Sequence, residues 1–427
     1  MLQYSRYNYI VELEPGKSWG LINLRNLATY KLNRFSKLLY DNVLLAPDTK
    51  LAKNLQKLGF LVDYDELAHY RAMHATATGN TQSFGLTICP TLGCNFRCPY
   101  CFEEHGQGPM SEAVQVALVK MVKGYIEEYR PKSFSVTWFG GEPLLYPAII
   151  QKLSASFLEL CEEHKVEYSA NIITNGYLLT PEVAAMLEAS KVKTMQITLD
   201  GMQETNDKTR ILADGRGSFE RIISNLRALH TNIKISIRCN LSAKNKADFP
   251  NLQKLMQEIA VATGNKINVY AGHMVAFDDA PEAVANAELS YDSFLEHGLN
   301  NGDNAYAKLK KCDYHYCGAD CFAGFTVDDK GYLYKCWNHV GRTEYSVGQV
   351  LDEENPWLKQ TRTAFGATSL GFDVTQEPEC AECILLPQCN GGCPDKRFRS
   401  KVIDHCEKPM LKILDKLVEK FFNNRKE

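Results

Sequence analysis

The sequence predicts an α/β fold, a partial (β/α)6 barrel of six strand–helix units followed by a smaller cysteine-rich domain. Three observations carry that prediction. Between residues 84 and 275 short β-rich runs alternate with longer stretches of helical apolar spacing, and such alternation gives parallel strands joined by right-handed crossovers. Six units fall short of the eight that close a (β/α)8 barrel. Chemically distinctive segments follow the first four runs, at the carboxyl ends of strands, where sites of such folds gather. Behind them, cysteines recur from residue 312 to residue 406.

Composition bounds the rest. At 427 residues the chain exceeds one typical domain, and 45% hydrophobic residues can bury a large core. A formal charge of −3, with Lys and Arg scattered, gives no footprint for nucleic acid. No stretch approaches the ~20 apolar residues that span a bilayer, and residues 1–16 lack the pattern of a secretory signal. A cytoplasmic chain keeps its thiols reduced, so 15 clustered cysteines, an odd total, argue for metal rather than disulfides.

In chain order, 7–13 (YNYIVEL) and 19–24 (WGLINL) flank Pro15-Gly16 and read as a hairpin. Residues 27–39 and 49–58 carry helix-spaced apolar side chains, with Gly59 as a C-cap. Strands are expected at 84–89, 134–139, 168–174, 194–199, 234–239 and 266–271. Helices are expected at 111–129, 147–163, 181–190, 219–230 and 249–263, and a last one at 410–422.

The loop after the first strand reads CPTLGCNFRCPYCFEEH over 89–105, with Cys94, Cys98 and Cys101 spaced C-x3-C-x2-C and Tyr100 before the last. Three thiolates within eight residues can wrap one soft metal centre, zinc or an iron–sulfur cluster. Three ligands leave a position open, where substrate can meet metal. A zinc knuckle borrowing a distant ligand is the alternative. The segment resembles the cluster motif of the radical S-adenosylmethionine (SAM) superfamily, in which SAM chelates the fourth iron of a [4Fe–4S] cluster.

Later segments resemble the same family in the same order. Gly140-Gly141-Glu142-Pro143 ends the second strand and looks like the GGEP motif that holds the amino end of SAM. Two glycines permit close backbone approach to a ligand, and a Glu accepts from an ammonium. Thr174-Asn175-Gly176 and Thr198-Leu199-Asp200-Gly201 end the third and fourth strands. They resemble family segments near the sulfonium and ribose, which gives Asn175 and Asp200 those roles. Arg210 resembles the family Arg that pairs with the SAM carboxylate, while Asn206 stands where relatives often carry His.

The tail carries Cys321, Gly331 and Cys336, then Cys380, Cys383, Cys389 and Cys393 in C-x2-C-x5-C-x3-C, then Cys406. This looks like the seven-cysteine SPASM signature of peptide- and protein-modifying radical SAM enzymes. Two closed cubanes need eight ligands, and Cys317 is the natural eighth. The resemblance implies one auxiliary [4Fe–4S] cluster on Cys317, Cys321, Cys336 and Cys393 and a second on Cys380, Cys383, Cys389 and Cys406. With the SAM cluster, that makes three. Cys161 and Cys239 read as core, and Cys89 and Cys312 flank cluster regions without an assigned role.

Linear order suggests three regions: 1–80, a cap or winged-helix-like peptide-binding segment; 81–305, the partial barrel; and 306–427, the auxiliary-cluster domain with the terminal helix. The resemblance implies a 5′-deoxyadenosyl radical that takes hydrogen from a ribosomal precursor peptide to form thioether or other crosslinks. It further implies a flavodoxin- or ferredoxin-type electron donor. The runner-up is an anaerobic sulfatase-maturating enzyme converting Cys or Ser to formylglycine. Those enzymes usually carry an Asp, a candidate base, where this chain has Trp337. No residue declares itself as a catalytic base or substrate contact.

Overall fold

The computed structural model describes residues 2–273, 309, 311–314, 316–400 and 408–424. Packing divides the chain into two compact units, each assembled from segments distant in sequence.

One unit gathers Met1–Gly79, Gly298–Cys321 and Thr368–Glu427. It opens with β1 (Gln3–Tyr4), β2 (Asn8–Glu14), β3 (Ser18–Asn23), β4 (Thr29–Asn33), α1 (Arg34–Asp41), α2 (Lys50–Lys57), β5 (Leu61–Val62) and α3 (Glu66–Thr78). The expected hairpin forms, with Tyr9 opposite Ile22. Residues 27–39 are not the single helix their spacing suggests. Thr29–Asn33 alternates and is rich in strand formers, so it pairs with β3, Tyr30 opposite Leu21. That pairing sends Leu32 into a core with Leu21, Tyr40, Leu55 and Phe60. The helix starts only at Arg34, where the Asn33 side chain accepts from the Ser36 N–H at 2.8 Å. A second core joins Tyr7, Ile22, Leu24 and Tyr70 to Cys380, Leu385 and Leu386 and to Leu414, Leu417 and Val418. The last three lie on the terminal helix, Lys408–Asn424.

The other unit holds Asn80–His297 and Phe322–Ala367. Its strands are β6 (Ser83–Ile88), β7 (Ser133–Trp138), β8 (Glu167–Thr174), β9 (Val192–Thr198), β10 (Lys234–Asn240) and β11 (Ile267–Gly272). They lie side by side in sequence order, every neighbouring pair parallel. The helices between them are α4 (Glu112–Tyr129), α5 (Pro147–His164), α6 (Pro181–Ala189), α7 (Gln203–Thr209), α8 (Phe219–Ala228) and α9 (Phe249–Thr263). The α/β fold and its six parallel strands are those expected.

One face of the sheet is apolar. Phe84 packs 4.2 Å from Tyr125 of α4, and Phe134 5.3 Å from Phe157 of α5, centroid to centroid. Side chains alternate along a strand, so Thr87 and Thr137 point to the opposite, polar face. An unexpected strand, β12 (Gly324–Val327), adds to the free edge of β6 in parallel, and β13 (Tyr332–Tyr334) returns antiparallel to it. Asp328 closes this turn, accepting from the Lys330 and Tyr332 N–H groups at 3.0 and 2.8 Å. Gly331 takes the left-handed φ of +83° that the turn needs. Among the described residues no helix is long and apolar enough to cross a membrane.

Candidate active site

Because β6 to β9 are parallel, the loops after them emerge on one edge. The cysteine loop follows β6, and its approach is fixed before Cys94 is reached. The N–H groups of Gly141 and Glu142 donate to the carbonyls of Thr91 and Gly93 at 3.2 and 2.9 Å. A Cβ on Gly140 would come 2.4 Å from the Thr91 carbonyl, and one on Gly141 2.3 Å from that of Gly93. Gly140 also holds φ at +104°. The close approach these glycines permit is therefore to the chain's own cysteine loop. On its far side the loop bonds to residues 211–213: Arg97 N–H to the Ile211 carbonyl at 2.8 Å, and Ala213 N–H to that of Asn95 at 2.9 Å. Asp329 accepts from the Leu92 N–H at 3.2 Å.

Glu142 is 1% exposed and serves as a latch. Its carboxylate accepts from the Leu144 N–H at 3.0 Å, the Thr174 hydroxyl at 2.6 Å and the Asn175 N–H at 2.7 Å. Burial raises its pKa, while those donors and the nearby Arg210 charge oppose the shift. Asn175 in turn donates to the Asn95 side chain at 2.7 Å, one residue past Cys94. The ends of β7 and β8 and the cysteine loop are thereby locked together.

Tyr100, Asp200 and Arg210 form a second network. The Tyr100 hydroxyl donates to Asp200 and accepts from Arg210 Nη1 at 3.0 Å. Asp200, 1% exposed, also accepts from the Asn240 N–H at 3.1 Å and the Thr209 hydroxyl at 3.3 Å. Asn206 is buried beneath it, its side-chain oxygen accepting from the Asp200 N–H at 3.1 Å. Burial alone would lower the Arg210 pKa, but Tyr100, Cys98 and Asp200 outweigh it and raise it, so the guanidinium stays charged. Arg210 is 9% exposed, and its Nε is buried with no hydrogen-bond partner among the described residues. That orphaned donor fits a carboxylate. The partly accessible thiols of Cys94 and Cys98 and the exposed one of Cys101 are a donor set that fits an iron–sulfur cluster. Burial pushes Cys94 up to about 12, so a bound metal would have to displace its proton.

Among the described residues fourteen cysteines are thiols, none in a disulfide. Cys317, Cys321, Cys380, Cys383, Cys389 and Cys393 belong to the first unit, and Cys336 to the second. Burial, then Asp320, Cys393 and Cys321, push Cys317 up to about 11, which puts three of the eight tail cysteines in one neighbourhood. Cys380 and Cys383 sit on adjoining turns, the Cys383 N–H donating to the Cys380 carbonyl at 3.0 Å. Cys406 lies outside the described residues. Cys89, Cys161 and Cys239 are buried, the last two as core, as expected.

Several supporting residues escaped the sequence reading. Thr174 lies in the TNG segment, whose pattern assigns it no role. Asn95, Asn240 and Asn245 carry no motif, although Asn245 Nδ2 holds the Asp200 carbonyl at 3.0 Å. The β12–β13 turn was legible as DDKG between two β-rich runs.

Such a thiol loop, held by a glycine turn and a buried charged network at the edge of a parallel sheet, is a donor set suited to a metal cluster with a charged ligand beside it. Residues 88–256 match the family model of the radical SAM superfamily, so the chain carries a radical SAM domain and is a radical SAM enzyme; SAM and a [4Fe–4S] cluster come with such a domain. Mycofactocin maturase MftC of Mycobacterium tuberculosis is 26% identical over 336 residues, 72% of this chain and 77% of that one. A cysteine-type anaerobic sulfatase-maturating enzyme of Clostridium novyi is 24% identical over 341 residues, 73% and 88% of the two chains. Among solved structures, Streptococcus suis SuiB bound to its precursor peptide SuiA superposes with a TM-score of 0.51 at 16% identity, over 95% of this chain and 98% of that one. That likeness speaks to the fold.

Proposed function

We propose that the protein is a radical SAM peptide maturase that takes hydrogen from a ribosomally made peptide and forms thioether or other crosslinks. The observation that carries this reading is the three-thiol loop at the edge of a polar, open sheet face, in a chain similar to a mycofactocin maturase. When bound, SAM and its cluster supply the 5′-deoxyadenosyl radical. Cys94, Cys98 and Cys101 would ligate the cluster. Tyr100, Gly140, Gly141, Glu142, Pro143, Asn175, Asp200 and Arg210 would frame SAM. Arg210 would offer its spare Nε–H, while Glu142 and Asp200 act by holding their neighbours.

Cys317, Cys321, Cys336 and Cys393, and separately Cys380, Cys383, Cys389 and Cys406, would carry two auxiliary [4Fe–4S] clusters. A flavodoxin or ferredoxin would deliver the reducing electron in the cytoplasm. A leader would bind residues 1–80. There β4 is an edge strand of its sheet, and α1, which follows it, exposes Phe35 and Leu38. Extended peptides add to strand edges in this way.

The sulfatase-maturating reading draws on the Clostridium novyi relative. Against it, position 337 holds a Trp whose indole N–H is already donated to Thr87, and this side chain accepts no proton. Reduced, reconstituted enzyme offered SAM with a display library of random Cys-containing peptides long enough to include a leader, and separately with a sulfatase-derived Cys peptide, distinguishes the two. Products two hydrogens lighter whose sulfurs resist alkylation support the thioether. A Cys-to-formylglycine mass change in a sulfatase-derived peptide hands the case to the runner-up.

A further inference from the structure

Trp337 is 41% exposed although it is pinned from two sides. Its Nε1–H donates to the Thr87 hydroxyl at 3.0 Å, and its ring lies 5.0 Å from that of Phe139 at 31°. Thr87 is on the polar face of β6, two residues before the cysteine loop begins. Phe139 directly precedes Gly140 and bonds through its N–H to the Ile88 carbonyl at 2.9 Å. The indole is thus held rigidly over the carboxyl edge of β6 and β7, on the face opposite the helices. It also directly follows Cys336.

The sheet face below it is polar. Thr194 donates to Asn171 at 2.5 Å, and Tyr270 donates to Gln196 at 2.6 Å, across neighbouring or next-but-one strands. Side chains that bond one another laterally leave a floor suited to peptide backbone. Trp337, backed by the buried Phe139 ring, is an apolar wall beside it. A fixed, half-exposed indole costs little entropy when it stacks, which is why Trp so often anchors recognition.

We infer that Trp337 is a specificity-determining residue, a platform for an apolar side chain of the peptide close to the carbon that reacts. The inference rests on the peptide reading above. It places the reacting residue between the cysteine loop and the segment that begins at Cys336. A Trp at this position gives up a proton acceptor and gains a binding surface.

The test is the display-library reaction run with wild-type holoenzyme and with W337F, W337Q and T87V, after iron analysis of each. In modified peptides from wild type and W337F, apolar residues are expected to be enriched within two positions of the modified residue. W337Q should lose that enrichment. For one selected peptide, W337Q should raise KM about ten-fold with a smaller change in kcat, as expected for losing about 1.4 kcal/mol of stacking. T87V keeps the ring but unpins it, and should raise KM by about two- to three-fold. If wild type modifies no peptide, the peptide reading falls and takes the platform with it. If peptides are modified but the enrichment is absent, or persists in W337Q, the platform alone falls. If W337Q loses iron, a T87V preference identical to wild type in both KM and sequence overturns the inference.

Discussion

The loop of Cys94, Cys98 and Cys101 and the turns of Cys380 and Cys383 both present thiols, yet different forces hold them. The first is laced by backbone hydrogen bonds, to residues 140–142 on one side and 211–213 on the other. Its Cys101 thiol is exposed, while Cys94 Sγ accepts a single loop N–H, that of Phe96, at 3.4 Å. The second is held by apolar packing. Cys380 is buried in a cluster with Tyr7, Leu24, Leu386 and Val418, and Cys383 packs against it. A thiol that hangs from a fixed backbone can be removed without disturbing the fold. A thiol that is itself part of a core cannot. Loss of the thiol should therefore be a catalytic lesion in one segment and a stability lesion in the other.

The largest effect expected is the loss of SAM cleavage when Cys94, Cys98 and Cys101 are all replaced by Ala. It should exceed the ~100-fold seen when groups merely behind metal ligands are lost. The melting midpoint should move by no more than about 2–4 °C, the equivalent of about 1 kcal/mol. 5′-Deoxyadenosine assay and a thermal melt of the same sample check both halves. A collapse of the melt would show that the loop depends on its metal and erase the contrast.

Gly141→Ala attacks the lacing instead of the thiols. Its new methyl group would press on the Gly93 and Leu92 carbonyls, 2.3 and 2.5 Å away. About 3 kcal/mol of overpacking should appear as a lower denaturant midpoint. Thr174→Val removes one donor from the buried Glu142 carboxylate, a bond of 2.6 Å. Hydrogen bonds to charged groups are worth about 1.5–3 kcal/mol, so a loss near 2 is expected in the same titration. Smaller again is Cys380→Ser, which sets a hydroxyl in the apolar cluster at about 1–2 kcal/mol. Cys98→Ser at the first loop should cost far less stability than this. Equal costs at the two sites would refute the distinction.

The sheet was legible because strand and helix periods differ and six repeats of the pattern leave little room for error. The edge of the sheet was legible through short chemical words: three cysteines, GGEP and TNG. What those words do to one another was not. Gly141 reads as a seat for a ligand, but the distance that demands glycine is to Gly93, a contact across two strands that no local pattern encodes. Asp200 reads as a ribose ligand, yet Tyr100, Thr209 and Asn240 occupy its carboxylate. Asn206, noted only as a departure from His, is the buried bracket beneath it. Residues 29–33 read as helix because Leu27, Tyr30 and later apolar positions fit helical spacing; neighbouring β3 decided otherwise. Trp337 was visible as a substitution for an acid, but its exposure and its two anchors are facts of three dimensions.

The pairing of β12 with β6 also has a history in time. Ile88 and its partner Val327 are separated by roughly 240 residues of chain. A ribosome adding ~5–20 residues per second takes roughly 12–48 s to cover that distance. Throughout that interval the strand that carries the cysteine loop has one open margin on the nascent chain. Its hydrogen-bonding groups are then available to any other extended segment, and a chain cut short near residue 305 would never cover them. Truncated forms should consequently associate through β6, and the full-length polypeptide should be most vulnerable to aggregation until Gly324–Val327 has been made.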